Sequence, residues 1–387
     1  SGETTMKKVL LLFFLCFVAV MSCFGVTVTA APQQLISGCK AAYLCDWRSG
    51  EVVFAKDAEK HLPIASMCKI MTLLLCFEEF DRGLSPDEQI CVSENASGMG
   101  GSQVFLETGG TYSVGDLLES ICIASANDSC VAMAEHIAGS EDLFVDRMNA
   151  RAKELEMNDT VFVNCTGLPA TGQYSCAKDV AAMLSELMKH AEYFTYSRIW
   201  MDEIEHSGGR VTEMANTNKM IRSYQGCDAG KTGYTSEAGF CLAASALRGN
   251  MRVVAVVIGA ESSKSRFEDV KVLFDFAFAN YTCKTVLEPT VLQGVTCKVK
   301  GGKKKEICTR PAEGCYVFCE KGDSDEIFYE TEMRELRAPI RAGDEIGRIV
   351  VYKNNVEVCN VPLLANEDAA KNGYFDSVRE IAQDWTI

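Results

Sequence analysis

The chain is short of the residues that build metal and redox centres. Among 387 residues there are four histidines, and the nineteen cysteines never fall in a C-x-x-C pair. No zinc-type spacing can be drawn between the two sets, so the sequence implies no metal centre. Positive charge is scarce as well. Lys and Arg total 38 against 53 Asp and Glu, a net charge of −15, which leaves no basic stripe to replace the counterions of a nucleic acid and excludes that partner. What is present is a globular composition, 48% hydrophobic and 24% charged, long enough for one sizeable core and a smaller domain.

The first thirty residues are expected to be an export signal. Met6, Lys7 and Lys8 form a positive region after a short upstream extension, Ser1 to Thr5, and an apolar run follows from Val9 to about Val26. Val28 to Pro32 is a small-residue cleavage site, so a mature chain would begin near Ala31 on the outer face of the membrane or in the wall. Two alternatives stand beside it: a membrane-spanning helix, since the run is near the lower length limit, and lipidation of Cys23, which Met21 fits poorly. Export would ordinarily make a cysteine-rich chain a disulfide scaffold. Losing Cys16 and Cys23 with the signal leaves an odd seventeen, however. Cys76, Cys122 and Cys241 also sit where a helix or strand takes a small hydrophobe, so most of the cysteines read as buried free thiols.

Two β-rich runs, AAYLCDW and EVVFAKDA, flank the turn Arg48-Ser49-Gly50 and predict a hairpin. Apolar residues at helical spacing (Met67, Ile70, Met71, Leu74, Phe77) predict a helix from Ser66 to about Asp81. Further helices are expected over 114–123, with Ser113 and Asp116 as caps, and over 128–138, 143–157, 177–190 and 265–280. GKTGYT, FCLAASAL and MRVVAVVIGA predict an antiparallel meander. Hairpin, helices and meander make an α+β domain over 34–281. Short β-type runs over 282–366 predict a small all-β domain, a sandwich. The tail 367–387 can form an amphipathic helix able to touch a membrane surface, although Asp376, Glu380 and Asp384 on its polar side oppose anionic lipid.

Three segments can carry chemistry. Three S-x-x-K pairs occur: Ser37 with Lys40 before the first strand, Ser175 with Lys178 where the serine suits an N-cap, and Ser66 with Lys69 at a helix end that enters the core. Only in the last would burial and the positive end of a helix lower the pKa of a lysine, allowing a neutral amine to deprotonate a hydroxyl one turn away. Free N–H groups at the same helix end could meet an oxyanion. Ser125 and Asn127, in CIASANDSC, fall in a break between helices; read as extended, it would aim both side chains into one cleft, with Asn127 holding a substrate carbonyl or the lysine. Ser93-Glu-Asn95 has the same form and reads as a turn. Lys231-Thr232-Gly233 would put a cation beside a position without a side chain, where an extended peptide ending in a carboxylate can lie. A bare edge-strand lysine is the alternative there.

In this order S-x-x-K, S-x-N and K-T-G resemble the penicillin-recognising serine acyltransferases. The chain is most similar to the low-molecular-mass penicillin-binding proteins that act as D-alanyl-D-alanine carboxypeptidases. GKTGYTSEAGFC, FVNCTGLPATGQYSCAKDVAAM, NTNKMI and RAPIRAGDEIGRIVVYK extend the likeness over nearly the whole mature chain. The resemblance implies a β-lactamase/transpeptidase-like domain with Ser66 as acylated nucleophile and Lys69 as its base. It also implies Ser125 as proton relay, Asn127 orienting the substrate amide, and Lys231, Thr232 and Gly233 at the terminal carboxylate. The N–H groups of Ser66 and Tyr234 would form the oxyanion hole. Tyr234 stands where many relatives have histidine. The implied substrate is a peptidoglycan stem peptide ending in D-Ala-D-Ala, with β-lactams as covalent inhibitors and no cofactor. A serine β-lactamase, for which Glu154 to Asn158 superficially supplies an E-x-x-x-N element, and a non-catalytic wall-binding or penicillin-sensing module are the alternatives.

Overall fold

The computed structural model describes residues 35–373, so the expected export signal and residues 374–387 of the tail lie outside the described residues. β1 (Ala41–Asp46) and β2 (Val52–Lys56) pair antiparallel as the expected hairpin. The predicted helix at Ser66 is instead a 3-10 turn, Ala65–Cys68, feeding α1 (Lys69–Phe80), because the amides of Met67 and Lys69 bond back to Ile64 and Ser66 carbonyls. α2 (Val114–Ile123) is capped by Ser113, as expected, and is followed by α3 (Asn127–Ala138) and α4 (Glu141–Glu154). α5 (Ala177–Leu187) is capped by Cys176 rather than Ser175. Both backbone groups of Ser175 are bonded to Leu62, so the helix can open only at the next residue.

A hairpin of β3 (Met201–Glu205) and β4 (Val211–Ala215) follows, then the single turn α6 (Met220–Ser223). The meander is present as β5 (Cys227–Thr235), β6 (Gly239–Arg248) and β7 (Met251–Ala260), and α7 (Ser263–Asn280) closes the α+β region. The sheet order β2-β1-β7-β6-β5 leaves β5, which carries Lys231 to Tyr234, at an edge. All ten residues of β7 are buried, with α5 and α7 packed against the strand, which explains its unbroken apolar sequence. Residues of α1, α2, α3 and α5 share one core with the sheet, including Ile70, Leu117, Val131, Leu184 and Val256.

β8 (Tyr281–Leu287) runs straight on from α7. It is followed by β9 (Thr296–Lys300), β10 (Glu306–Pro311), β11 (Cys315–Glu320), β12 (Ile327–Met333), β13 (Leu336–Arg337), β14 (Glu345–Lys353) and β15 (Val356–Ala365). These strands form a β8-β11 pair and a six-stranded sheet, β12-β14-β15-β10-β9-β13, around a second core of Leu287, Val317, Ile349, Val351 and Leu363. The chain thus joins a mixed helix and sheet region to an all-β region. The first part of the tail departs from expectation: Ala369 and Lys371 make extended bridges to Ile340 and Gly302, and Ala369 is buried in the second core. These isolated bridges, made outside the named strands, engage the backbone of the segment, so it is not helical there. The Arg48 guanidinium in the β1–β2 turn lies 4.8 Å from the Tyr316 ring centroid and so touches the all-β region. No helix among the described residues is long and apolar enough to cross a membrane.

Candidate active site

Ser66 sits in the 3-10 turn, immediately after Ala65, whose φ of 48° is left-handed, a costly conformation for a residue with a Cβ. Close packing holds the turn from two sides. Gly167, at φ +81°, lies so near that a Cβ there would stand 2.0 Å from the Ala65 carbonyl oxygen. Gly233 on β5 is also close, since its Cβ would fall 2.8 Å from Ile64 O and 3.1 Å from Ser66 N. Glycine is required at both positions.

One turn on, Lys69 is wholly buried. Its Nζ lies 3.1 Å from Ser66 Oγ and donates to Asn127 Oδ1 at 2.6 Å and to the Thr166 carbonyl at 2.5 Å. Those two acceptors fix two N–H bonds and leave the third position of the nitrogen directed at the serine. When the amine is neutral that position is a lone pair, and the Ser66 hydroxyl donates to it. Burial pushes the Lys69 pKa down, toward the neutral form.

Asn127 has both ends engaged, because its Nδ2 donates to Gly100 O at 2.6 Å. The geometry meets the task of holding the lysine, and Nδ2 carries a second N–H beyond its bond to Gly100 O with which a substrate carbonyl could be met. The neighbouring Asp128 carboxylate, fully buried, accepts from the amides of Val104 and Leu106 at 3.1 Å and so fixes the loop that receives Asn127. Ser125 is not extended. Its φ of 65° is left-handed, and Asn127 already opens α3, so the alternation argument for this pair fails. The Ser125 hydroxyl is nevertheless buried with no hydrogen-bond partner among the described residues, an arrangement that costs stability.

Lys231 on β5 is also buried, and burial, reinforced by the Lys69 charge, lowers its pKa to about 7. Thr232 Oγ1 donates to Thr217 Oγ1 at 2.8 Å. Tyr234 is exposed and lies 4.3 Å, ring to ring, from Phe240. Ser66, Lys69, Asn127 and Gly233 are thus in direct contact. Lys231 is near enough to feel the Lys69 charge, Thr232 faces Thr217, and the Ser125 hydroxyl makes no hydrogen bond to any of these residues.

Sequence reasoning missed three partners: the Thr166 carbonyl, Thr217, and Arg266, whose Nη1 donates to Gly233 O at 3.1 Å. Gly167, next to Thr166 in NCTGLP, was the available signal for the first. The other serine–lysine pairs are structural. Ser175 Oγ bonds Thr160 at 2.8 Å, and Lys40 Nζ donates to Glu237 O at 3.1 Å. Ser93 caps a short helix. Glu154 is exposed at the end of α4 and pairs with Arg151 at 3.1 Å, so it supplies no carboxylate to Ser66.

Residues 27–262 match the family model described as D-alanyl-D-alanine carboxypeptidase, and residues 289–371 match that of the penicillin-binding protein 5 C-terminal domain. The chain is 40% identical over 359 residues to the D-alanyl-D-alanine carboxypeptidase DacF of Bacillus subtilis, covering 92% of each chain. It is 32% identical to DacD of Salmonella typhimurium, covering 92% of this chain and 93% of the relative. Among solved structures, penicillin binding protein 5 from Haemophilus influenzae superposes with a TM-score of 0.66 at 26% identity, over 86% of this chain and 98% of that one. Penicillin binding protein 6B from Escherichia coli gives 0.65 at 28% identity, over 87% and 98%. The chain belongs to the D-alanyl-D-alanine carboxypeptidase family.

Proposed function

We propose that the chain removes the terminal D-alanine of peptidoglycan stem pentapeptides through an acyl-enzyme on Ser66, and that penicillins acylate the same hydroxyl. The observation that carries this reading is the buried Lys69 amine, 3.1 Å from Ser66 Oγ and held by two other acceptors. Lys69 takes the Ser66 proton as the hydroxyl attacks the D-alanyl carbonyl. Asn127 keeps Lys69 in place. Ser125, with its unpaired hydroxyl, passes the proton to the departing D-alanine nitrogen. The N–H groups of Ser66 and Tyr234 receive the oxyanion, and Lys231, Thr232 and Gly233 line the edge of β5, where the substrate adds as an extended strand with its carboxylate at the lysine. Water then hydrolyses the ester.

Such a substrate lies outside the cytoplasm, which supports reading residues 1–30 as an export leader with a short upstream extension and residues 34–281 as the catalytic domain, with 282–366 as its β appendage. Residues 374–387 would supply any peripheral membrane contact. The β-lactamase alternative loses support because Glu154 is bonded to Arg151 at an exposed helix end. The test is D-alanine release from a stem pentapeptide. Wild type should release it, and Ser66→Ala should lose at least about a thousandfold in kcat while still binding the peptide. Wild-type binding without release would instead make the protein a sensing or wall-binding module.

A further inference from the structure

Strand alternation puts two cysteines on the inner surfaces of the β region. In β11, Cys315 shares the core-facing side with Val317 and Cys319, and in β15 Cys359 falls in step with Val361, Leu363 and Ala365. The two strands belong to different sheets, yet they bring Cα atoms within 8 Å of one another. A disulfide spans roughly 5–7 Å between such atoms. The thiols themselves meet in a hydrogen bond. Cys315, buried in the second core, donates it, and half-buried Cys359 accepts. That bond favours the thiolate of Cys359 and holds the proton on Cys315, where burial acts in the same direction. The charged groups facing the pair are Arg48, which favours both thiolates, and Glu313, which opposes them. Arg48 reaches across from the β1–β2 turn, and its contacts bracket Cys315: Nη1 donates to Gly314 O at 3.4 Å, and the guanidinium lies 4.8 Å from the Tyr316 ring centroid. A partly accessible thiolate with a buried second thiol in reach is the pattern of a redox site, and packing alone requires neither feature.

We propose that Cys315 and Cys359 form a redox site that closes to a disulfide on meeting an external disulfide, stapling the two sheets of the β region where Arg48 touches it. The Cys359 thiolate attacks one sulfur of the external disulfide, whose S–S bond breaks; the departing thiolate takes up the proton that Cys359 released. Cys315 sulfur then attacks the Cys359 sulfur of the mixed disulfide and expels the second external thiolate, which receives the Cys315 proton. Two protein thiols are oxidised, and one external disulfide is reduced to two thiols. The site lies outside the Ser66 chemistry and does not depend on it.

The test exposes the full native chain to oxidised glutathione at about pH 8, blocks the remaining thiols with N-ethylmaleimide and maps unreduced peptides. Wild type should give a peptide pair joined through Cys315 and Cys359, and dithiothreitol should return both thiols. Cys315→Ala should stop at a glutathione adduct on Cys359, while Cys359→Ala should oxidise at Cys315 at least about tenfold more slowly than wild type, circular dichroism reporting the fold of each. The wild-type map decides the matter even where an alanine variant unfolds. The proposal is overturned if both thiols stay free in wild type, if Cys359 keeps its glutathione adduct beside a free Cys315, or if the bridge joins either cysteine to a different partner. Unchanged oxidation of Cys315 in a folded Cys359→Ala chain would overturn it as well.

Discussion

The two lysines of the proposed site are both buried, and each carries a cost. An ammonium group removed from water favours losing its proton, and for Lys231 burial and the Lys69 charge bring the pKa from 10.5 to about 7. Between pH 7 and 10.5 the unfolded chain therefore binds more protons at this position than the folded one, so stability rises with pH across that window and the full penalty applies below it. Replacing Lys231 by Met, similar in length and apolar, should stabilise the fold by a few kcal/mol at pH 6 and flatten its stability between pH 7 and 10, while abolishing turnover. Chemical denaturation at several pH values would reveal it; an unchanged or lower midpoint at pH 6 would show that the amine sits there without penalty. The same logic gives the activity its shape. In the mechanism proposed above a neutral Lys69 deprotonates Ser66 and a charged Lys231 holds a carboxylate, so kcat/KM should be bell-shaped, the two limbs belonging to the coupled pair.

At the scale of elements, the nucleophile turn is clamped between a loop glycine and a strand glycine. Gly167→Ala would drive a Cβ to 2.0 Å from the Ala65 carbonyl oxygen at a φ of +81°, so the turn must move. The expected outcome is a loss of roughly 3 kcal/mol in stability, read as a lower melting temperature, and penicillin acylation slowed by two orders of magnitude or more. Wild-type acylation by that variant would mean that the loop holding Thr166 does not position the lysine. Long-range relations of this kind are what the sequence conceals. The S-x-x-K and K-T-G residues were legible because i,i+3 spacing and strand alternation are local rules. The Thr166 carbonyl was not, because a backbone acceptor has no side-chain signature of its own and the neighbouring Gly167 marks only a close approach, not its partner. Ser125 was misread as extended because the left-handed turn there is imposed by the packing of α2 on α3 and is not announced by glycine. The β3–β4 hairpin was missed because Asp202, Glu203, Glu205 and Glu213 break up the apolar residues of MDEIE and VTEMA, of which only Ile204 and Met214 are buried.

At the scale of the molecule, the chain places an α+β region and an all-β region in continuous succession, α7 passing into β8 without an intervening loop. The order of strands and helices was readable, including the meander, because apolar runs between glycine turns allow few alternatives. In the β region β10 and β12 escaped notice, since their charged exposed faces dilute the alternation. The cysteines follow the reading of packing residues: all seventeen described are unpaired, and thirteen of them are buried. Burial drives the Cys45 thiol up to about 12, so it is inert toward disulfide-exchange reagents. In a thiol titration without reductant, exposed Cys91 should react first, intermediate Cys283, Cys308 and Cys359 more slowly, and the buried set only on unfolding. Fewer than seventeen titratable thiols from the described region after denaturation would reveal disulfides.

The claim on which the rest depends is that a neutral Lys69 activates Ser66 and no other hydroxyl. Intact-mass spectrometry after exposure to benzylpenicillin, followed by peptide mapping, tests it most directly. A single penicilloyl group on the peptide carrying Ser66, lost in Ser66→Ala and formed at a rate that falls as pH drops, is the expected result. An adduct mapping to another residue, or a wild-type chain that stays unmodified, would contradict it.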